Sequence, residues 1–230
     1  MPQERVEAVE RALSIVSAFS DGDQALSLAE IARRTGLYKS TILRLAGSLK
    51  RFGYLSQQAD GAYRLGPSLW RFGAMYRRAF LSAEAIAPVL LRLREATGET
   101  ASFYVRDGDE RVCLYRVNSE RPLRHHLDEG ARLPLDRGAA GRLLLAYEGG
   151  AGAHAGADGG ADGEEIRAQG HAISLGERDP EIAAVAVPVF AAGGDILGAL
   201  TISGLVTRFD APTVARCLAA LKAEARRLSS

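Results

Sequence analysis

Two cysteines, Cys113 and Cys217, are all that 230 residues contain. That is too few for a disulfide framework or a zinc ribbon. Long apolar runs are missing as well, and none approaches the length of a membrane span. The opening MPQERVEAVE does not read as a signal peptide, so a cytoplasmic protein is expected. Net charge is scarce, only +1, but it is unevenly spread. Residues 1–80 carry 12 Lys+Arg against 7 Asp+Glu, whereas residues 81–230 carry 17 against 21. A basic front and an acidic back fit nucleic-acid binding by the front alone.

Catalytic equipment is not found either. Gly150, Gly152 and Gly156 are spaced G-x-G-x-x-x-G and follow an expected helix, so they fail the test of a nucleotide-binding loop. Cys113 has no identifiable base or orienting group. His125 and His126 are adjacent on an expected strand, Leu123–Leu127, and point to opposite faces. One of them could touch a ligand or a metal; the plainer reading is one packed and one exposed histidine. With Cys113 they lack the pair spacing that fixes metal geometry. No catalytic residue, metal site or cofactor is assigned, and the chain is not expected to be an enzyme.

What is present begins at Leu26. Ser27 and Glu30 have the spacing of a capping box, so a helix should start after Ser27. Gly36 stands where the chain must turn out of it. A second helix should run from about Lys39 to Phe52. Ile42, Leu45, Ala46 and Leu49 share one face; Ser40, Arg44, Gly47 and Arg51 share the opposite one, with Thr41 at its margin. Hydroxyls and arginines without acids suit a phosphate-lined groove. Asp60-Gly61 between Tyr54–Gln57 and Ala62–Leu65 predicts a type I′ hairpin, the wing of a winged helix-turn-helix. The alternative is an ordinary helical hairpin with a solvated charged face.

The stretch LSLAEIARRTGL, then KSTILRL, SLKRFGYL and YRLG, resembles the N-terminal domain of IclR-family bacterial transcriptional regulators. Downstream, GETASFYVRDGDERVCLYRV, LPLDRGAAGRLLLA and AAVAVPVFAAGGDILGALTISGLVTRF resemble that family's sensor domain, in family order. The resemblance implies an operator-binding regulator whose DNA affinity answers to a small-molecule effector, often an organic or aromatic carboxylate. DNA contacts are expected from Lys39, Ser40, Thr41, Arg44 and Arg51, with Arg64 in the wing.

Val6–Phe19 is a helix that should pack behind the recognition helix. Ser68–Phe80 is a helix rich in large apolar groups, including Leu69, Trp70, Phe72 and Tyr76. It either meets a partner, as the dimer-forming linker of the resembled family does, or is buried in its own chain. The expected assembly is a homodimer or a tetramer. Ala83–Ala96 is amphipathic, and Thr100–Arg106 and Arg111–Val117 form a hairpin. Ala139–Tyr147 is a short helix; His171–Leu175, Val185–Phe190 and Ile196–Ser203 are strands; Asp210 caps a last helix, Ala211–Leu228. Residues 149–163, of which 12 are Gly or Ala, should be a mobile loop. The fold class is α+β: a winged helix-turn-helix (1–66), a linker helix (67–82) and a GAF-like or profilin-like effector-binding domain (83–230).

Gly138-Ala139-Ala140-Gly141 opens a helix with small side chains that leave its amides uncovered, where an anion is favoured. The resemblance gives Ala139 and Ala140 the effector carboxylate, with Gly138 beside them. Thr201 and Ser203 alternate along one strand, so both hydroxyls face one side. In the family such hydroxyls point into the pocket; they could instead satisfy local backbone. Ile182 and Ala184 fall where the family lines its pocket. Ser174 and Leu175 stand where the family often has acids, with Glu177 and Asp179 close by. An alternative function is a methyltransferase-like enzyme that uses the winged helix only to dimerise; it needs a parallel sheet and a glycine-rich nucleotide loop. A cyclic-nucleotide sensor is a third reading, by fold analogy alone.

Overall fold

The computed structural model describes residues 5–78, 80, 83–123, 127–148 and 160–229. They form two compact units, Met1–Ala79 and Phe80–Ser230.

In the first unit, α1 (Glu7–Ser17), α2 (Leu28–Thr35) and α3 (Lys39–Arg51) precede a small antiparallel hairpin, β1 (Leu55–Gln57) and β2 (Tyr63–Leu65), and α4 (Pro67–Arg78). Ile15, Leu26, Ile31, Ile42, Ala46, Leu49, Leu55 and Tyr63 make its core. Ser27 Oγ accepts from the Glu30 amide at 3.1 Å, and Gly36 ends α2 at φ 69°. Only half of the capping box forms. The Glu30 side chain turns to Arg33 and Arg34, which hold its carboxyl down to about 2.

The hairpin turn differs from expectation. A type I′ turn needs positive φ at both central residues. Among the described residues no non-glycine has positive φ, and here only Gly61 does, at 86°. Gln58 to Gly61 form a tight turn closed by Gly61 N to Gln58 O at 3.0 Å, with Asp60 Oδ1 accepting from Ala62 N at 2.9 Å. The loop therefore spans five residues, Gln58 through Ala62. Along and just beyond α1, Ala12, Ile15 and Phe19 pack in the core, but Val6 before the helix and Val9 and Leu13 on it are exposed. No residue of α4 is buried; Trp70 is 79% exposed and Met75 is exposed as well.

The second unit is built on one antiparallel sheet in the order β5-β4-β3-β8-β7-β6. Its elements are α5 (Ala83–Thr97), β3 (Thr100–Asp107), β4 (Glu110–Val117), β5 (Arg132–Pro134), α6 (Ala139–Ala146), α7 (Gly160–Gln169), β6 (Ala172–Leu175), β7 (Ile182–Phe190), β8 (Ile196–Leu205) and α8 (Ala211–Leu228). One face packs on α5 and α8 through Leu90, Leu93, Leu221, Phe103, Val185 and Ile202. The other packs on α6 through Leu143, Leu144, Tyr104, Cys113, Ala186 and Ala199, and on α7 through Ile166. All six strands are antiparallel, which is not the parallel nucleotide-binding sheet that the methyltransferase alternative requires.

Three expectations need correction or fall outside view. The strand beside β4 is Arg132–Pro134, not Leu123–Leu127; neither Leu123 nor Leu127 is in a strand, and residues 124–126, with His125 and His126, lie outside the described residues. The expected loop 149–163 ends early, because α7 starts at Gly160; residues 149–159 lie outside the described residues. Asp162 pairs with Arg142 of α6, and Ile166 is buried, so tertiary contacts hold this glycine-led helix.

Replacing Ser27 by Ala removes the cap of α2 and should cost about 1 kcal/mol. Amide exchange in α2 should accelerate in the full-length variant; an unchanged rate would contradict the cap.

Candidate functional site

The first candidate surface is the outer face of α3. The buried positions are Ile42, Ala46 and Leu49, which turns Lys39, Ser40, Arg44, Gly47 and Arg51 outward, with Thr41 half-buried at the margin. Tyr38 precedes the helix without a side-chain cap. The first intrahelical bond is Ile42 N to Tyr38 O at 3.1 Å, so the amides of Lys39, Ser40 and Thr41 have no intrahelical acceptor. Two exposed groups here were not anticipated from the sequence: Tyr38, 85% exposed, and Leu43, beside Ser40 and Arg44. Leu43 breaks the apolar pattern of α3, and that break was the readable signal.

Charge on the two helices is arranged differently. On α2, Arg33 bonds Glu30 and Arg34 bonds Asp23 and Glu30. On α3, Lys39, Arg44 and Arg51 make no ion pair among the described residues. The helix that faces outward therefore keeps its charge. Arg51 lies about 18 Å along the axis from Lys39. Arg64 is on β2, with Nε donating to Ser56 Oγ at 3.0 Å, so it belongs to the wing. Lys50 also reaches the wing, donating to Gln57 Oε1 at 2.7 Å.

The second candidate is a cavity between the start of α6 and the sheet. Its lining brings together all seven residues singled out from the sequence: Gly138, Ala139, Ala140, Ile182, Ala184, Thr201 and Ser203. Tyr104, Arg111, Leu133, Ser174, Arg178 and Asp179 complete it. The cavity exists because small residues face small residues. Ser174 pairs with Ala184 and Ala184 with Ser203 across the strands, while Thr201 pairs with Ala186. Above that floor stand Ala139, Ala140 and Gly141. The cavity is small, about 40 Å³.

The polar groups of the lining are unevenly satisfied. Arg142 N bonds Gly138 O at 3.1 Å, so the amides of Ala139, Ala140 and Gly141 have no intrahelical acceptor. The Gly138 amide donates to Glu177 Oε2 at 3.0 Å, and Glu177 also pairs with Arg142. Glu177 thus caps the helix from outside the lining. Thr201 Oγ1 is buried and has no partner among the described residues. The same holds for Arg111 Nε.

Arg111 and Arg178 were missed from the sequence. Arg111 opens the apolar run RVCLY, and its face is shared with Cys113. An irregularity between Phe103 and Tyr104 leaves Leu114 unpaired and sends Tyr104 and Cys113 toward α6. Arg111 Nη1 donates to the carbonyls of Pro134 and, at 2.8 Å, Arg137. A Cβ at Gly141 would collide with that nitrogen and with the Leu135 carbonyl, so glycine is needed there. Burial pushes the Arg111 pKa down, pushes Tyr104 up to about 12 and pushes Cys113 up to about 11. A protonated thiol in an apolar layer is a poor nucleophile. Among the described residues no group of three His, Cys, Asp or Glu could hold a metal ion, and no helix is long and apolar enough to cross a membrane.

The IclR helix-turn-helix domain model matches residues 8–59. The model of the bacterial transcriptional regulator IclR C-terminal domain matches residues 81–155 and 163–230. The HTH-type transcriptional regulator XynR of Escherichia coli (strain K12) is 29% identical over 223 residues, 89% of this chain and 88% of its own. The crystal structure of Thermotoga maritima IclR is similar with a TM-score of 0.76, at 22% identity over 98% of each chain. An IclR homologue of Microbacterium hydrocarbonoxydans, crystallised in complex with 4-hydroxybenzoate, is similar with a TM-score of 0.74, at 22% identity over 97% of this chain and 98% of that one. With a paired helix-turn-helix and C-terminal domain matched along most of its length, the chain belongs to the IclR family of DNA-binding bacterial transcriptional regulators.

Proposed function

We propose that this regulator reads operator DNA with the outer face of α3 and adjusts its grip when a small organic acid enters the cavity beneath α6. The observation that carries the reading is the cavity lining, where uncovered helix amides and an unsatisfied buried hydroxyl converge on one small space.

On the DNA side, α3 enters the major groove. Lys39, Ser40 and Thr41 meet phosphates together with the bare helix amides. Arg44 reaches base edges or phosphate, and Leu43 offers a methyl surface to thymine. Arg51 and the wing residue Arg64 contact the flanking backbone. On the sensing side, the Ala139 and Ala140 amides, with Gly138 leaving the approach open, receive a carboxylate. Thr201 and Ser203 bond a second polar group, while Ile182 and Ala184 contact the ligand's apolar part. The Microbacterium relative's complex with 4-hydroxybenzoate makes an aromatic acid a reasonable first probe. The chain acts in the cytoplasm as a dimer or tetramer. Val6 at the start of α1, Val9 and Leu13 on it, and Trp70 and Met75 on α4 are exposed apolar groups of the kind a second copy would cover.

Two variants test the reading. Arg44→Ala should weaken binding to a duplex selected by the wild-type protein by about 1–3 kcal/mol in a gel shift at fixed salt. Equal affinity would remove α3 as the reading helix. Thr201→Val deletes a hydroxyl that no described residue satisfies, so ligand-free stability should hold or rise. A loss of more than about 1 kcal/mol on thermal unfolding would mean that the hydroxyl serves the fold.

A further inference from the structure

Arg111 differs from the other arginines of the lining and its surroundings. It is 4% exposed and sits on β4, inside the sheet. One of its terminal nitrogens, Nη1, is engaged by the carbonyls of Pro134 and Arg137. The remaining edge, Nε–H beside Nη2–H, is the side-on fork that binds both oxygens of a carboxylate. Nε is buried without an acceptor, and Nη2 bonds none of the described residues. No carboxylate among the described residues comes within ion-pair distance of this guanidinium. Asp136, whose charge reaches it from farther off, is already held by both Nε and Nη2 of Arg137.

A guanidinium does not shed its proton in a protein, so a buried one without a counter-charge is costly. Neighbouring Arg142 shows the ordinary solution, with Asp162 and Glu177 both paired to it. Arg111 lacks that solution, yet it lines the cavity that also holds the unsatisfied Thr201 hydroxyl. The glycine at 141 and the carbonyls around it keep the guanidinium at this spot.

We infer that Arg111 sets the charge specificity of the cavity: its Nε–Nη2 edge pairs with the carboxylate that the Ala139 and Ala140 amides also receive, and excludes neutral analogues of the same shape. The inference rests on the cavity being the ligand site. Its rival is that Arg111 only struts the loop before α6 through Nη1. A strut would affect stability and leave the choice between acid and amide untouched.

The test titrates the full-length protein by calorimetry with benzoate, 4-hydroxybenzoate and propionate, each beside its primary amide. The wild type should favour at least one acid over its amide by about ten- to hundredfold, the usual worth of a charged hydrogen-bond pair. Arg111→Lys should lose most of that preference, read as the ratio of acid to amide affinity within the variant. Undiminished preference in Arg111→Lys overturns the inference. A wild type that binds acid and amide alike also overturns it but leaves the cavity reading standing. No binding of any acid sinks the cavity reading and the inference together. Should the variant fail to fold, the Nε–H resonance of wild-type Arg111, assigned through its own backbone, decides. It should move downfield with the acid and not with the amide, and an unmoved signal with acid bound is a contradiction.

Discussion

The start of α6 is held above the sheet by charged tethers on two sides, and the cavity depends on them. On one side Arg111 Nη1 grips the carbonyls of Pro134 and Arg137. On the other, Glu177 takes the Gly138 amide while Arg142 reaches Glu177, Asp162 and the Ile173 carbonyl. Small side chains on both surfaces would otherwise invite closer approach, since protein interiors pack densely. The tethers keep a gap where Ala139 and Ala140 face Ala184, Thr201 and Ser203. The cost is two buried polar atoms without partners among the described residues, Arg111 Nε and Thr201 Oγ1, and these are the groups that the proposed ligand would satisfy.

Charge is handled in the opposite way in the two units. In the first, the arginines of α2 are neutralised by Asp23 and Glu30, while the cations of α3 stay open to solvent. Long-range attraction to phosphates is thus concentrated on one helix face rather than smeared over the unit. In the second unit the buried Arg111 has no counter-ion within ion-pair distance among the described residues. An exposed cation suits a polyanion that approaches from outside, and a buried one suits a small anion that can be enclosed.

Much of this was legible in the residues themselves. Ser27 and Gly36 bounded α2 because caps are local chemistry, and α3 displayed both faces because helical period is local too. The seven cavity residues came from motif order, which carries position along the chain. What escaped depended on distant contacts. Arg111 stood only as the first residue of an expected strand, and only the β5 segment and the α6 loop reveal what its guanidinium meets. The helix α7 opens in a glycine run with little periodicity and is held by Asp162 and Ile166, whose partners lie on α6 and the sheet. The outer row of α1 was apolar at helical spacing, and spacing alone does not separate a face that meets the core from one left exposed. The wing turn kept its glycine but not its type, because Asp60 bonds the Ala62 amide from a negative-φ conformation.

The central claim is that occupancy of the cavity is felt at the DNA face. The most direct measurement is operator affinity by fluorescence anisotropy at fixed salt, with and without an acid that calorimetry has shown to saturate the protein. Coupling of the usual size would change the dissociation constant by about five- to 150-fold. An identical constant with the acid demonstrably bound would contradict the account.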